Sequence, residues 1–200
     1  MLSIEILKES GIIPNYAEEH TEDYVKGSYK GVSLEISEAI LKNVRKSHNS
    51  SHIVFRGIYV LLSMNKNFSG KTVVKHDYGA VGNWLINKTA DMDRVRLEDP
   101  VFEKKFEVYS TDQVEARYLL TTSFMERLLE LSQAMNSKNI QCSFYSNKLL
   151  LSIPTSKNYF ETSSIYEPAT FVDDINDILR EMNILFKIID ILKLDQRTGL

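Results

Sequence analysis

A second cysteine is missing. Cys142 stands alone among 200 residues, so no internal disulfide can staple the fold, and a reducing compartment such as the cytoplasm is expected. No run approaches the roughly 18–20 apolar residues that cross a bilayer. The opening MLSIEILKES carries acids and lacks the basic-then-apolar pattern of a secretory leader. Positive charge is not in excess: 24 Lys and Arg face 27 Asp and Glu, for a net charge of −3. That balance argues against bulk nucleic-acid binding, which needs basic side chains to offset phosphates. There is no G-x-S-x-G elbow for a serine nucleophile and no dense cluster of metal-ligating residues. No cofactor and no metal are therefore expected. Internal repeats and low-complexity segments are also absent from the sequence.

What is present suits one globular domain. Hydrophobic residues make up 43% and charged residues 26%, ordinary values for a chain that folds on its own core. At this length roughly 70% of the unfolded surface is buried on folding, so no staple is needed. We read residues 1–200 as a single domain, with a helix and loop over 1–23 and an α+β core over 24–200.

Local patterns set the expected elements. Ile4–Ser10 reads as a short helix closed by Gly11 and Pro14, and Asn15–Asp23 as a polar loop. Tyr24–Tyr29 and Val32–Val44 read as strands around a Lys30-Gly31 turn, because glycine accepts positive φ at no steric cost. Val32, Leu34 and Ile36 alternate with polar residues, the period of a half-buried strand. RKSHNSS is a polar loop. Ile53–Met64 is nearly continuously apolar and reads as a central strand covered on both faces, with Gly57 as a bulge. Lys71–His76 and Arg94–Ser110 are further strands. Asp77–Asp93, which holds the only tryptophan, Trp84, reads as a short helix or a loop.

Asp112-x-x-Glu115 and Ser123-x-x-Glu126 have capping-box spacing and predict helices over Gln113–Leu119 and Ser123–Asn136. Ile140–Phe144 and Leu149–Ile153 form a hairpin, and Thr155–Thr170 is irregular. Asp173 and Asp174 open a long amphipathic C-terminal helix, whose stripe runs from Ile175 to Leu192. Helices do not alternate strictly with strands. The fold class is thus α+β, a mainly antiparallel sheet of six to seven strands with a helix pair in the second half.

Several residues could carry chemistry. Gly70-Lys71-Thr72 ends like a phosphate-binding loop, but Asn65 stands where glycine is required and a strand follows, so a connecting turn is the stronger reading. His48 and His52 are four apart, as in helical metal sites, yet they flank a loop. Cys142 lies between Ile140 and Phe144 and reads as a small buried side chain. The densest polar junction is Asp112, Glu115, Arg117 and Tyr118, with Lys71 as a further member. These five are the candidate ligand-binding residues. In a catalytic reading Glu115 is a general base oriented by Arg117. In a structural reading Asp112 and Glu115 cap helix ends and Arg117 pairs with a carboxylate, and the spacing favours it. Glu98, Asp99 and Glu103 read as a solvated acidic turn.

Four segments together resemble the bacterial DUF3137 family, from about Ser10 to the C-terminus. They are SGIIPNYAEEHTEDYVKG, FRGIYVLLSMNKNFSGKTVV, LEDPVFEKKFEVYSTDQVEARYLLTTSFMERL and LKLDQRTGL. The resemblance implies no catalytic residues to carry over. It implies a membrane-associated family in which a transmembrane segment precedes this domain on the cytosolic side, and the sequence reads as the soluble domain without that segment. GIYVLLSMNKN and the tail DQRTGL depart from the family pattern, so a partner contacted there would differ.

The leading expectation is a non-enzymatic binding or regulatory domain with a protein partner, in the cytoplasm or at the cytosolic face of the inner membrane. The first alternative is an enzyme for a small polar or phosphorylated substrate at the Asp112–Tyr118 junction. The second is a lipid- or peptide-binding module, with Lys187, Lys193 and Arg197 near a membrane surface in peripheral association.

Overall fold

The computed structural model describes residues 2–45, 50–76, 91–157, 159, 171–192 and 194. The strands are β1 Glu18–Tyr29, β2 Val32–Arg45, β3 Ser50–Ser63, β4 Thr72–His76, β5 Asp93–Val95, β6 Phe106–Ser110, β7 Gln141–Tyr145 and β8 Lys148–Pro154. Among the described residues they form one eight-stranded sheet in the order β1-β2-β3-β8-β7-β4-β6-β5. Every pairing between them is antiparallel. The helices are α1 Ile4–Ser10, α2 Pro100–Glu103, α3 Gln113–Leu119, α4 Thr122–Ala134 and α5 Phe171–Leu192. The fold is α+β with an antiparallel sheet.

Alternation on β3 explains why its stretch from Ile58 to Leu62 is apolar throughout. Ile58, Val60 and Leu62 point into the core on one face of the sheet. Tyr59 and Leu61 point into the core on the other. The first core takes Phe102 from α2, Ala116 and Leu119 from α3, Phe124, Leu128 and Leu131 from α4, and Leu185, Ile188, Ile189 and Leu192 from α5. The second is closed by the N-terminal segment through Leu2, Leu7, Ile12 and Ile13. A strand buried on both faces has no polar positions to spare, hence the unbroken run.

Gly57 is not a bulge. Its pairing with Ala39 keeps register, and the shift on β3 falls between the Leu41 and Lys42 partners. Glycine is needed there for another reason. A Cβ at Gly57 would sit 2.2 Å from the Ile153 carbonyl oxygen and 2.8 Å from Pro154 Cα, at φ 156°. The Lys30-Gly31 turn forms as expected, with φ of 49° and 80°, the all-positive pair of a two-residue hairpin. It also reaches α5: Lys30 Nζ lies 2.6 Å from Asp190, and Tyr29 stacks on Phe186 at 4.4 Å.

Several boundaries differ from the sequence reading, among them β3, which begins at Ser50 inside the expected polar loop, and three have a physical cause. First, β1 begins at Glu18 inside the expected loop, because its backbone pairs with β2 as far as Lys42 while its side chains stay at the surface. Second, the single strand expected over Arg94–Ser110 is split by α2, which yields eight strands where six to seven were expected. Asp99 causes the split: its Oδ1 accepts the N–H groups of Val101 at 2.8 Å and Phe102 at 3.0 Å, and Pro100 suits the first helical position. Third, α4 starts one residue early. Thr121 rather than Ser123 is the cap, with its Oγ1 accepting the Phe124 N–H at 3.2 Å. Trp84, His48, Lys193 and Arg197 lie outside the described residues, as does most of Thr155–Thr170.

Candidate functional site

The candidate site lies where β6 turns into α3. Asp112 caps that helix, its Oδ1 accepting from Val114 N at 3.0 Å and Glu115 N at 2.9 Å. A capping box would send Glu115 back to the Asp112 N–H, but that N–H donates to Ser110 Oγ at 3.0 Å. Glu115 turns instead to the chain before β4. Its Oε1 accepts from Ser69 N at 3.0 Å and Ser69 Oγ at 3.1 Å, and its Oε2 accepts from Gly70 N at 2.8 Å. The stretch that resembled a phosphate-binding loop therefore presents its amides to a carboxylate of the same chain, the kind of anion that successive backbone N–H groups attract.

Close packing holds this arrangement in place. A Cβ at Gly70 would lie 2.8 Å from Thr111 Oγ1 and 2.9 Å from Asp112 Cβ. Lys71 joins the cluster through its backbone. Its N–H donates to Thr111 Oγ1 at 2.8 Å, and its carbonyl accepts from Thr111 N at 3.0 Å and from Ser110 Oγ at 3.1 Å. So the fold brings together Lys71, Asp112 and Glu115 as a knot of backbone hydrogen bonds.

Arg117 and Tyr118 lie on the other side of α3 and face water. Tyr118 is 70% exposed and Val114 67%. Arg117 Nη1 donates to the Gln113 carbonyl at 3.0 Å, and it pairs with no carboxylate among the described residues. Beside them opens a cleft of about 450 Å³, lined by Arg96, Leu97, Glu98, Arg117, Leu120, Thr121, Thr122 and Met125. Arg96 was hidden in the expected strand. The helix signal in Asp99-Pro100 could have moved it onto a loop, but nothing local places it in one cleft with Arg117.

The acidic turn is partly structural. Asp99 caps α2, and Glu103 Oε1 accepts the Leu97 N–H at 2.9 Å. His20 lies beside Glu22 at 3.2 Å and His52 is exposed. Cys142 is wholly buried, and burial pushes its thiol well above the ordinary range. On α5 the C-terminal half of the apolar stripe packs into the core, so that half is not available to a lipid surface. Among the described residues no helix is long and apolar enough to cross a membrane.

Three comparisons bear on this chain. A family model described as "Protein of unknown function (DUF3137)" matches residues 53–194. No curated protein matches. Among solved structures, the mycobacterial trehalose monomycolate transport factor A, TtfA, is similar at a TM-score of 0.44 and 12% identity, over 86% of this chain and 73% of that one. A likeness that distant carries no argument about function.

Proposed function

Because the chain belongs to the DUF3137 family, which assigns no activity, we propose a role from its own geometry: a non-enzymatic binding or regulatory domain that meets a protein partner through the outer face of α3. The observation that carries this reading is the division of one short helix. Glu115 faces inward and is spent on the Ser69 and Gly70 amides. Val114, Arg117 and Tyr118, at spacings of three and four residues, share the outward face. A general base must be free to take a proton from a substrate, whereas both oxygens of Glu115 are already accepting. Exposed aromatic and arginine side chains are what protein interfaces draw on most. The reading puts the domain in the cytoplasm, where a lone thiol stays reduced, and leaves room for a partner at the inner membrane.

Photo-crosslinking inside cells tests it. A photoreactive residue replaces Val114 or Tyr118, and in a control Glu18 on the opposite sheet edge. A discrete protein adduct from the α3 positions and not from the control is expected. Equal labelling from all three positions, or none from α3, would remove the proposal. Substrate turnover abolished by Glu115→Gln in a normally stable protein would replace it with an enzyme.

A further inference from the structure

We propose that the cleft between Arg96 and Arg117 receives an acidic segment of the partner, with carboxylates held by the two guanidinium groups and flanking apolar side chains lying on Val114 and Tyr118. This rests on the preceding reading and names the chemistry of what binds there.

Arg117 is the shared element. It belongs to the exposed stripe of α3, and it also lines the cleft. A segment lying along Val114 and Tyr118 is therefore led into the cleft without a break. The cleft floor is apolar, with Leu120 and Met125 both buried. Its rim carries two guanidinium groups and one carboxylate, Glu98. Neither arginine makes an ion pair among the described residues, although the chain as a whole is acidic, at −3. Two unpaired arginines beside exposed apolar side chains form a local surface of the opposite sign to the protein. A guanidinium group offers a planar fork that matches a carboxylate with two parallel hydrogen bonds. Oppositely charged surfaces also steer encounter and reject wrong partners. A planar anionic membrane is the poorer occupant, since Leu120 and Met125 lie buried at the bottom of a cleft and not on a flat surface.

The test uses the full chain and two fluorescein-labelled peptides, one of alternating Asp and Leu and one with Asn for every Asp, read by anisotropy. The Asp peptide is expected to bind at least about tenfold tighter, the scale on which a charged contact tunes an interface, and to weaken as salt screens the pair. Arg96→Gln and Arg117→Gln each lower its affinity. Arg117→Lys, which keeps the charge and loses the fork, falls between. Glu98→Gln raises affinity by removing the one repulsive carboxylate. All three side chains changed are at the surface, and circular dichroism checks that each variant folds.

Equal binding of the two peptides, no binding of either, or arginine variants that behave like the parent would overturn the proposal. Competition by octyl phosphate or by phosphatidylglycerol vesicles would give the cleft to a phosphate or a headgroup and overturn it as well. A Tyr118 photo-adduct without acidic preference would leave the α3 surface standing and remove only the acidic partner. Loss of both results would remove both readings.

Discussion

Glu115 Oε2 accepts the backbone N–H of Gly70 at 2.8 Å, joining positions 45 residues apart in the chain. Together with the bonds to Ser69 it anchors the approach to β4 onto α3. The most catalytic-looking carboxylate of the sequence is thus a structural clamp by geometry. Glu115→Ala leaves two backbone N–H groups without their acceptor, and a loss of about 2–3 kcal/mol is expected. Glu115→Gln keeps one acceptor and should lose less. Urea denaturation measures both, and a midpoint unchanged in Glu115→Ala would show that the clamp holds nothing.

Gly57 offers a harsher case. An added methyl group would lie 2.2 Å from the Ile153 carbonyl oxygen and 2.9 Å from Thr155 N, all backbone, with no flexible side chain to yield. Gly57→Ala should force β3 and β8 apart. A cost of roughly 3 kcal/mol or more is expected, visible as a lower urea midpoint or as insoluble protein. A variant as stable as the parent would mean that the strands shift freely there.

Glu38 should shape the pH dependence of stability. It is 1% exposed. Burial raises its pKa, with Glu22 and Asp23 adding to the rise, while the Tyr159 N–H and Arg56 oppose it. The folded state then keeps a proton that the unfolded state has released. Stability must fall as pH rises from the ordinary glutamate value through the raised one. Glu38→Gln keeps an oxygen acceptor for the Tyr159 N–H, now 3.1 Å from Oε2, and removes the titration. Urea midpoints measured across that window should fall with pH in the parent and flatten in the variant. A parent slope of the opposite sign would contradict the account.

Cys142 gives a clock for opening of the core. With no exposed surface and a thiol pushed up by burial, it should react with a disulfide reagent no faster than the sheet opens, since the thiolate is the reactive form. Labelling at the rate of a model thiol in native buffer would show that β7 is accessible. Labelling that tracks denaturant-induced unfolding is the expected result.

Features legible in the sequence are those whose cause lies within a few residues. The Lys30-Gly31 turn follows from glycine's tolerance of positive φ, the alternation of Val32, Leu34 and Ile36 from the period of a strand, and the Asp112 cap from a side chain that reaches an N–H two or three residues on. The α+β class follows from the same periodicities taken together. Even the misread helix α2 carried its signal in Asp99-Pro100, inside the stretch Arg94–Ser110 that reads as one strand.

What only the tertiary structure decided is partnership across distance. Glu115 had a local acceptor role available at the Asp112 N–H, and lost it because Ser110 Oγ already accepted that proton while Ser69 and Gly70 offered two free amides from a distant loop. The extension of β1 back to Glu18 depends on β2 presenting a free edge as far as Lys42. Arg96 and Arg117 line one cleft although α2 lies between them in the chain. In each case the residues that settle the outcome are distant in the chain, and only a folded chain brings them to one place.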